Sequence, residues 1–218
     1  MPTRSTRERP AEKIVIGYAS GTRTHNRDFK EVEIALERIL NAYPQVEVWV
    51  IGHLDLDEHW ARWQHRVKRI PSQPWRKLPK TLARLDINLA PLEVGNAFCR
   101  AKSELKYFEA AAVGVPTVAS KTTAFEFAIR HGETGLLVQH PEDWYHCLET
   151  LITTPALRVA MGERARSDVL QRYHPFVRGA ELLLTLDQIY DRLHDMSPGC
   201  TLQPIERNSV QTIRSADA

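Results

Sequence analysis

Residues 103–120 read SELKYFEAAAVGVPTVAS and place a helix directly before a short strand. Ser103 is a typical N-cap residue, so residues 103–113 predict a helix that begins there. Residues 116–119 form a short apolar run, which predicts a buried strand. A helix that leads into a buried strand is one unit of an alternating α/β fold.

The same alternation extends from this stretch over most of the chain. Strands that alternate with helices indicate a parallel sheet, and near-continuous apolar strands fit a sheet that is covered on both faces. We therefore predict a doubly wound, Rossmann-like α/β domain over residues 13–195, with extra C-terminal helices. The predicted strands are residues 14–19, 46–51, 66–70, 86–91, 116–119 and 135–138, and the predicted helices are residues 32–43, 78–85, 103–113, 124–131, 141–153, 155–172 and 176–194.

Composition narrows the functional classes. The chain has 218 residues, 43% of them hydrophobic and 26% charged, which excludes a wholly disordered protein. A net charge of +2 is too small to favour nucleic acid as a partner. The three cysteines have no CxxC spacing, so we expect a cytoplasmic protein without a disulfide framework or structural zinc.

The two ends of the chain predict no membrane-spanning or export segment. Residues 1–12 are polar and basic and predict a disordered tail rather than a signal peptide. Residues 196–218 are rich in Ser, Thr, Gln and Pro and predict a second disordered tail. No run of 18 apolar residues occurs, so no transmembrane segment is expected, whereas peripheral contact with a membrane stays open.

Ligands of doubly wound sheets bind outside the carboxyl ends of the strands, which here points to the loops at residues 18–28, 91–103 and 119–124. In the first loop, Ser20, Gly21 and Thr22 allow close approach of backbone N–H groups, and Arg27 adds a charged donor. These features suit a diphosphate. The alternative is a solvated turn whose polar side chains cap the following helix, since neither a GxGxxG nor a P-loop motif is present.

The second loop leads into a helix with cations at its start. Lys102 and Lys106 flank Ser103, and positive charge at this end opposes the helix dipole unless an anion binds there. Glu109 lies further along the same helix, on a face otherwise lined by Ala. A carboxylate on such a face either hydrogen-bonds to a ligand or neighbour, or it points to solvent.

These residues carry a family resemblance over roughly residues 13–193. The sequence EAAAVGVPTVAS at residues 109–120 resembles the E-A-x-A-x-G-x-P-V-V-A-S signature of the donor-binding domain of group 1 glycosyltransferases with the GT-B fold. Three further segments are similar to the same family, namely ARLDINLAP at residues 83–91, GETGLLV at residues 132–138 and MGERAR at residues 161–166.

The resemblance implies that the chain binds a nucleotide-sugar, from which a sugar is transferred to an acceptor hydroxyl, without a metal or other cofactor. By this resemblance Glu109 binds the ribose hydroxyls, and Ile70 and Pro71 line the base. The first loop, with Arg27 where the family has a lysine, binds the diphosphate. Arg27 and Lys106 are the expected catalytic residues, because the chemical task is to stabilise charge on the departing diphosphate. The full set of expected nucleotide-sugar-binding residues is Ser20, Gly21, Thr22, Arg27, Ile70, Pro71, Lys102, Ser103, Lys106 and Glu109.

Two departures from the family pattern bear on function. The usual first glutamate of E-x7-E is replaced by Ala101, and a K-S-x-x-K-x-x-E pattern stands in its place, with Glu104 as a possible substitute. The acceptor domain that normally comes first is not in this sequence, so we expect an acceptor-binding partner. A non-catalytic nucleotide-sugar-binding module and an interaction domain without a ligand remain alternative interpretations.

Three other patterns in the sequence have a structural as well as a functional interpretation. Asp55-Leu-Asp57 matches the DxD metal motif of another glycosyltransferase fold, but helix capping explains it more simply. His53, Asp55 and His59 do not share a face, so no metal site is expected. Leucines recur at helical spacing in the last predicted helix and indicate either core packing or a partner surface, namely Leu182, Leu186 and Leu193 together with Ile189.

Overall fold

The computed structural model describes residues 13–21, 25–93 and 95–196. Thr22, the predicted N-terminal tail and residues 197–218 of the predicted C-terminal tail lie outside the described residues. Two compact units are distinguished, one extending to His174 and one beginning at Pro175.

Six parallel strands form one sheet in the order β3-β2-β1-β4-β5-β6. Five of the strands are near-continuous apolar runs and are largely buried, as the sequence predicts, whereas the edge strand β3 carries the exposed side chains of Lys68 and Arg69. The strands are β1 (Ile14–Ser20), β2 (Val46–Gly52), β3 (Val67–Ile70), β4 (Ile87–Ala90), β5 (Thr117–Ser120) and β6 (Leu136–Val138).

Helices cover both faces, which confirms the doubly wound fold. On one face α1 and α6 pack against the sheet through apolar side chains that include Leu36 and Trp144. On the other face α2, α4, α5 and α7 supply a second layer that includes Leu82 and Tyr107. The helices are α1 (His25–Ala42), α2 (Leu78–Leu82), α3 (Ala97–Arg100), α4 (Leu105–Ala111), α5 (Thr123–Ala128), α6 (Asp143–Thr153), α7 (Pro155–Arg172) and α8 (Pro175–Met196), with a 3₁₀ helix at Glu58–Trp63.

The backbone of α7 lies very close to the turn between α4 and β5. A Cβ atom added at Gly162 of α7 would lie 2.2 Å from the carbonyl oxygen of Gly114, in the turn between α4 and β5. Gly114 itself has a φ of 78°, which side chains disfavour. The two glycines therefore let a helix rest directly on the turn that leads into β5.

The start of α4 differs from the prediction. The helix begins at Leu105, and its N-cap is Glu104 rather than Ser103, because Tyr107 N and Phe108 N donate to the carbonyl oxygen of Glu104. A short helix that the sequence did not predict, α3, lies upstream in the predicted loop at residues 91–103. Its signal in the sequence is Asn96, whose side chain accepts a hydrogen bond from Phe98 N at 2.9 Å.

The unit that begins at Pro175 is the helix α8 in its described part. Met196 is still helical, one residue past the predicted domain boundary. The apolar side chains of α8 are exposed. The core-packing interpretation of the leucine pattern is therefore wrong for Leu182, Leu186, Ile189 and Leu193. None of the described helices is long and apolar enough to cross a membrane.

Candidate functional site

The strand order reverses its direction of growth between β1 and β4, since β2 and β3 lie to one side of β1 and β5 and β6 lie beyond β4. The loops that leave β1 and β4 therefore separate and leave a crevice at the carboxyl ends of these strands. The first loop and the segment from residue 91 to α4 flank that crevice. This is the place where the sequence predicts the ligand site.

The end of β1 is held close to β2. The hydroxyl of Ser20, which is buried, donates to the carbonyl oxygen of His53. Gly52 has a φ of 96°, and a Cβ atom there would come within 1.9 Å of Ser20 O. Ser20 thus joins two strand ends, and its hydroxyl is already engaged within the protein.

His25 starts α1 and faces the crevice from the β1 side. Its Nδ1 accepts the backbone N–H of Gly21 at 2.8 Å, which requires that this ring nitrogen carry no proton. Burial lowers the pKa of His25 to about 4, and the ammonium of Lys106 contributes in the same direction. The imidazole is therefore neutral near pH 7.

Asp28, one turn into α1, is the most buried acidic side chain of the site at 1% exposure. Its carboxylate accepts hydrogen bonds from three donors in the segment that connects β4 to α4. Lys102 Nζ lies 2.6 Å from Oδ2, while Glu93 N and Cys99 Sγ lie 3.2 and 3.3 Å from Oδ1. A single carboxylate thus ties that segment to α1.

Lys106 lies in the first turn of α4 with its ammonium 5.5 Å from the centre of the Tyr18 ring. Burial lowers the pKa of Lys106 to about 8, and Asp28 counteracts this effect. Among the described residues, no carboxylate lies within ion-pair distance of Lys106, whereas Lys102 is paired with Asp28. Lys106 therefore brings to the crevice a positive charge that none of these carboxylates contacts directly.

Glu109 is half-buried in the same helix, one turn beyond Lys106. Burial raises the pKa of its carboxyl group, with Lys106 acting in the opposite direction. Within the described part of the chain, its side chain has no hydrogen-bond partner. A half-buried carboxylate of this kind is compatible both with a ligand contact and with the alternative in which Glu109 points to solvent.

The remaining predicted residues are more dispersed. Arg27 is exposed in the first turn of α1, and Ser103 is exposed in the segment before α4. Ile70 ends β3 and is half-buried against apolar neighbours, whereas Pro71 is exposed. The loop that follows β3 also carries Trp75, which is 74% exposed. The structure brings Lys102 to Asp28 and Lys106 to Tyr18, whereas Arg27 is exposed.

Glu104, the possible substitute for the missing glutamate, is engaged within the protein. Its Oε1 accepts the hydroxyl of Tyr173 at 2.5 Å, so the side chain is directed toward the end of α7. That hydrogen bond also explains why Glu104 does not cap α4 with its own side chain. The suggestion that Glu104 substitutes for the first acidic residue of the family pattern therefore lacks support in the geometry.

The Asp55–Asp57 pair serves the protein's own structure. Asp55 Oδ2 accepts the side-chain amide of Asn26 at 2.8 Å, and Asp57 pairs with Lys30 at 2.5 Å. His59 pairs with Glu37 instead of joining the aspartates. Asp57 does occupy the N-cap position of the 3₁₀ helix, but its side chain makes no capping hydrogen bond. Over the described ranges, no group of three or more His, Cys, Asp or Glu side chains could hold a metal ion.

Sequence reasoning missed Asp28, His25 and Cys99 as parts of the site. Acidic residues are common in the first turn of a helix, because they complement the helix dipole. The sequence around Asp28 therefore does not indicate a role in a site. Cys99 lies in α3, which was not predicted. The three residues meet only through tertiary structure, and the spacing of 71 residues between Asp28 and Cys99 has no local meaning.

Comparisons with known proteins agree with this architecture. A family model described as glycosyl transferase-like matches residues 24–184. The D-inositol 3-phosphate glycosyltransferase of Pseudarthrobacter chlorophenolicus is 48% identical over 59 residues, which is 26% of this chain and 14% of the relative. That of Corynebacterium jeikeium is 44% identical over 61 residues, 27% of this chain and 15% of the relative. The aligned region thus spans far less than two thirds of either relative.

Solved structures show the same fold. The C-terminal domain of the group 1 glycosyl transferase LpcC from Francisella tularensis is 21% identical with a TM-score of 0.54, covering 73% of this chain and 86% of that domain. HepE from Anabaena, in complex with UDP and glucose, is 19% identical with a TM-score of 0.65, covering 82% of this chain and 49% of HepE. TarM from S. aureus is 14% identical with a TM-score of 0.61, over 77% of this chain and 34% of TarM.

Proposed function

The chain belongs to the glycosyl transferase-like family, and we propose that it binds a nucleotide-sugar and holds the diphosphate of that donor during sugar transfer to an acceptor hydroxyl. Its fold is that of the C-terminal, donor-binding domain of group 1 glycosyltransferases. The observation that carries the proposal is the ammonium of Lys106, which is partly buried at the crevice between β1 and β4 without a carboxylate in ion-pair contact among the described residues. An anionic ligand would neutralise this charge.

A diphosphate fits the charges of the crevice. Lys102 and Lys106 together bring two positive charges. Asp28 pairs directly with Lys102, whereas Glu109 acts on Lys106 without an ion-pair contact. Arg27, which is exposed in the first turn of α1, would add a third cation to the proposed site. In a partly buried crevice, fixed positive charge stabilises a diphosphate more strongly as its negative charge increases. Charge increases on the diphosphate when the bond to the sugar breaks, so the same cations favour the transition state over the bound donor.

The other parts of the donor have matching surroundings. Glu109 is half-buried and has no hydrogen-bond partner in the described chain, and in this proposal it accepts hydrogen bonds from the ribose hydroxyls. Ile70, Pro71 and the exposed Trp75 belong to the region after β3 and offer apolar and aromatic contact to a base. The bound UDP of HepE makes a uridine nucleotide the first candidate.

Transfer also requires a site for the acceptor. The matched region is 49% of HepE and 34% of TarM, so both enzymes contain a large part that this sequence does not match. We infer that the acceptor is held by a domain or subunit outside this sequence. In that arrangement the chain supplies the donor and its leaving group, and the partner supplies the nucleophile.

A binding module without transfer activity is the second candidate. Ala101 stands where the family has its first glutamate, and Glu104 is engaged by Tyr173. Both features reduce the number of acidic groups available to the sugar hydroxyls. Such a module would bind the nucleotide-sugar and release it unchanged even when an acceptor domain is present.

Calorimetric titration of the 218-residue chain with UDP-, GDP- and ADP-sugars tests the proposal. We expect one nucleotide to bind, with the nucleoside diphosphate binding more tightly than the nucleoside because the cations face the phosphates. Absence of binding by every member of the panel would contradict both candidates. Binding without any cleavage of the sugar, with an acceptor-domain partner added, would favour the module over the transferase.

A further inference from the structure

One buried carboxylate links the two sides of the crevice. Asp28 belongs to α1, and all three donors that it accepts come from the 93–102 segment on the opposite side. The donors differ in kind, since Glu93 offers a backbone N–H, Cys99 a thiol and Lys102 an ammonium. A carboxylate with this set of partners has its geometry fixed from three directions.

We propose that Asp28 is a positioning residue of the donor site, which anchors the 93–102 segment and holds the ammonium group of Lys102 where the diphosphate binds, and whose charge acts on Lys106 without contact. The inference rests on the proposed function for the identity of the ligand. It adds a residue that makes no contact of its own with that ligand.

Stability alone does not explain a carboxylate at this position. Removing an acid from water costs free energy, and a well-packed apolar group at the same place is often as stable or more stable. An apolar group, however, cannot orient an ammonium group. The Asp28–Lys102 pair, with Nζ and Oδ2 2.6 Å apart and Asp28 only 1% exposed, gives Lys102 one location although its side chain is long and flexible.

The charge of Asp28 also reaches Lys106. Burial lowers the pKa of Lys106, Asp28 raises it, Lys102 lowers it and Glu109 raises it. Removal of Asp28 would therefore leave Lys106 less protonated near neutral pH. The charged and titratable groups that face Lys106 come from β1, α1, the 93–102 segment and α4, and they are Tyr18, His25, Asp28, Lys102 and Glu109.

The test is the binding of UDP and of inorganic pyrophosphate to the whole chain, measured by calorimetry between pH 7 and 9.5. We compare the wild type with Asp28→Asn and with Asp57→Asn. Asp57 is a matched control because its carboxylate also pairs with a lysine, Lys30, but on the surface. Asp28→Asn is expected to bind both ligands about tenfold or more weakly at pH 7. Its alkaline loss of affinity should begin at a lower pH than in the wild type, whereas Asp57→Asn should match the wild type.

A merely structural role for Asp28 would not move the alkaline midpoint. The titration of Lys106, followed in the free chain by ¹³C NMR of its Cε group, checks this shift without any ligand. We expect Lys106 to deprotonate at lower pH in Asp28→Asn. An unchanged affinity for UDP together with an unchanged titration of Lys106 would overturn the inference and leave the proposed function standing. If the wild type binds neither ligand, the proposed function fails instead.

A second variant covers the case in which Asp28→Asn does not fold. Lys102 is partly exposed, so Lys102→Gln is expected to fold. Because Lys102 lowers the pKa of Lys106, this variant should move the titration of Lys106 to higher pH, although diphosphate binding becomes weaker. A titration of Lys106 that stays in place in Lys102→Gln would show that the pair does not set the charge of the site, and the proposal would be wrong.

Discussion

Gly21 donates its backbone N–H to Nδ1 of His25, with 2.8 Å between the two nitrogens. This contact closes the turn at the end of β1 and requires a neutral ring. A protonated imidazole would place two donors face to face. The contact thus makes the first loop sensitive to acid, in a way that the predicted phosphate-binding role of the loop does not require.

Acid should destabilise the wild type more than a His25→Asn variant. The folded-state pKa of His25, about 4, lies below the usual value of 6.5. As the pH falls from 6.5 to 4, the unfolded chain therefore binds a proton at His25 that the folded chain does not bind. The free energy of unfolding decreases over that pH range. In urea unfolding at pH 7.5 and 4.5, we expect the loss to be smaller in His25→Asn by on the order of 1 kcal/mol, since solvent screens a half-buried ring.

His140→Gln, which changes an exposed histidine, is the control for that measurement. Its acid-induced loss should match that of the wild type. An equal loss in His25→Asn and in the wild type would contradict the neutral-ring assignment.

Lys106→Ala should weaken UDP binding by about 1.5–3 kcal/mol and leave uridine binding nearly unchanged, because the ammonium is proposed to face the diphosphate. Lys106→Arg should retain binding. It should also lose the alkaline decline in affinity that we expect of the wild type above a pH of about 8, the pKa of Lys106. Lys80→Ala, an exposed lysine of α2, serves as the control. Equal losses for UDP and uridine would place Lys106 elsewhere.

Arg27→Ala should also weaken UDP binding more than uridine binding, but by less than Lys106→Ala does. Arg27 is exposed, and an exposed charge is screened by water and salt. The comparison at low and at 0.5 M salt checks this ranking, because the contribution of Arg27 should shrink more with added salt. A contribution of Arg27 that is independent of salt would indicate a buried contact in the complex.

Glu109→Gln should weaken binding of the nucleotide-sugar by about 1.5–3 kcal/mol without unfolding the domain. The wild type is expected to prefer UDP over 2′-deoxy-UDP, because we propose that the carboxylate accepts hydrogen bonds from the ribose hydroxyls, and the variant should lose that preference. Calorimetry with both nucleotides measures the difference. An unchanged affinity would reduce Glu109 to a residue of the helix surface.

Gly162→Ala tests the packing of α7. The added methyl group would lie 2.2 Å from the carbonyl oxygen of Gly114, so the helix or the turn has to move. We expect a loss of about 1–3 kcal/mol in the free energy of unfolding, in the range for overpacked cores. Gly179→Ala in α8, where the added Cβ atom meets no atom within 4 Å, should show no such loss.

The purified chain alone should bind the donor without transferring sugar. Alignment of two reactants supplies on the order of 7–11 kcal/mol of barrier reduction, and a donor domain orients only one of them. We expect slow hydrolysis of the donor at most. Acceptor-dependent turnover of about 1 s⁻¹ or more, assayed with a panel of sugar and lipid acceptors, would contradict the need for a partner.

The sequence predicted the sheet well because its signal is local. Buried parallel strands are short apolar runs, and each of the six was predicted to within two residues at either end, as for Ile14–Ser20. The predicted ends were less accurate for helices, since α1 begins at His25 rather than at residue 32 and α2 ends at Leu82 rather than at residue 85. At the start of α4, a side-chain contact from a distant element is involved. Glu104 illustrates this, because Tyr173 holds its carboxylate away from the helix that it caps.

The candidate site was predictable only in part. Lys102, Lys106 and Glu109 share one short stretch, and their pattern is visible along the chain. Asp28 acquires its partners from residues 65 to 74 positions away, so its role depends on the topology that brings α1 beside the segment after β4. Nothing in the local sequence distinguishes such an aspartate from an ordinary residue of a first helical turn.

The exposed indole of Trp75 gives the chain an optical reporter. The other four tryptophans, Trp49, Trp60, Trp63 and Trp144, are all buried. A water-soluble quencher such as acrylamide therefore reaches mainly one emitter, and that emitter is in the loop after β3, where we propose that the base lies. A nucleotide that stacks there would shield this emission from the quencher, so occupancy of the base end can be followed by fluorescence in the unlabelled wild-type chain.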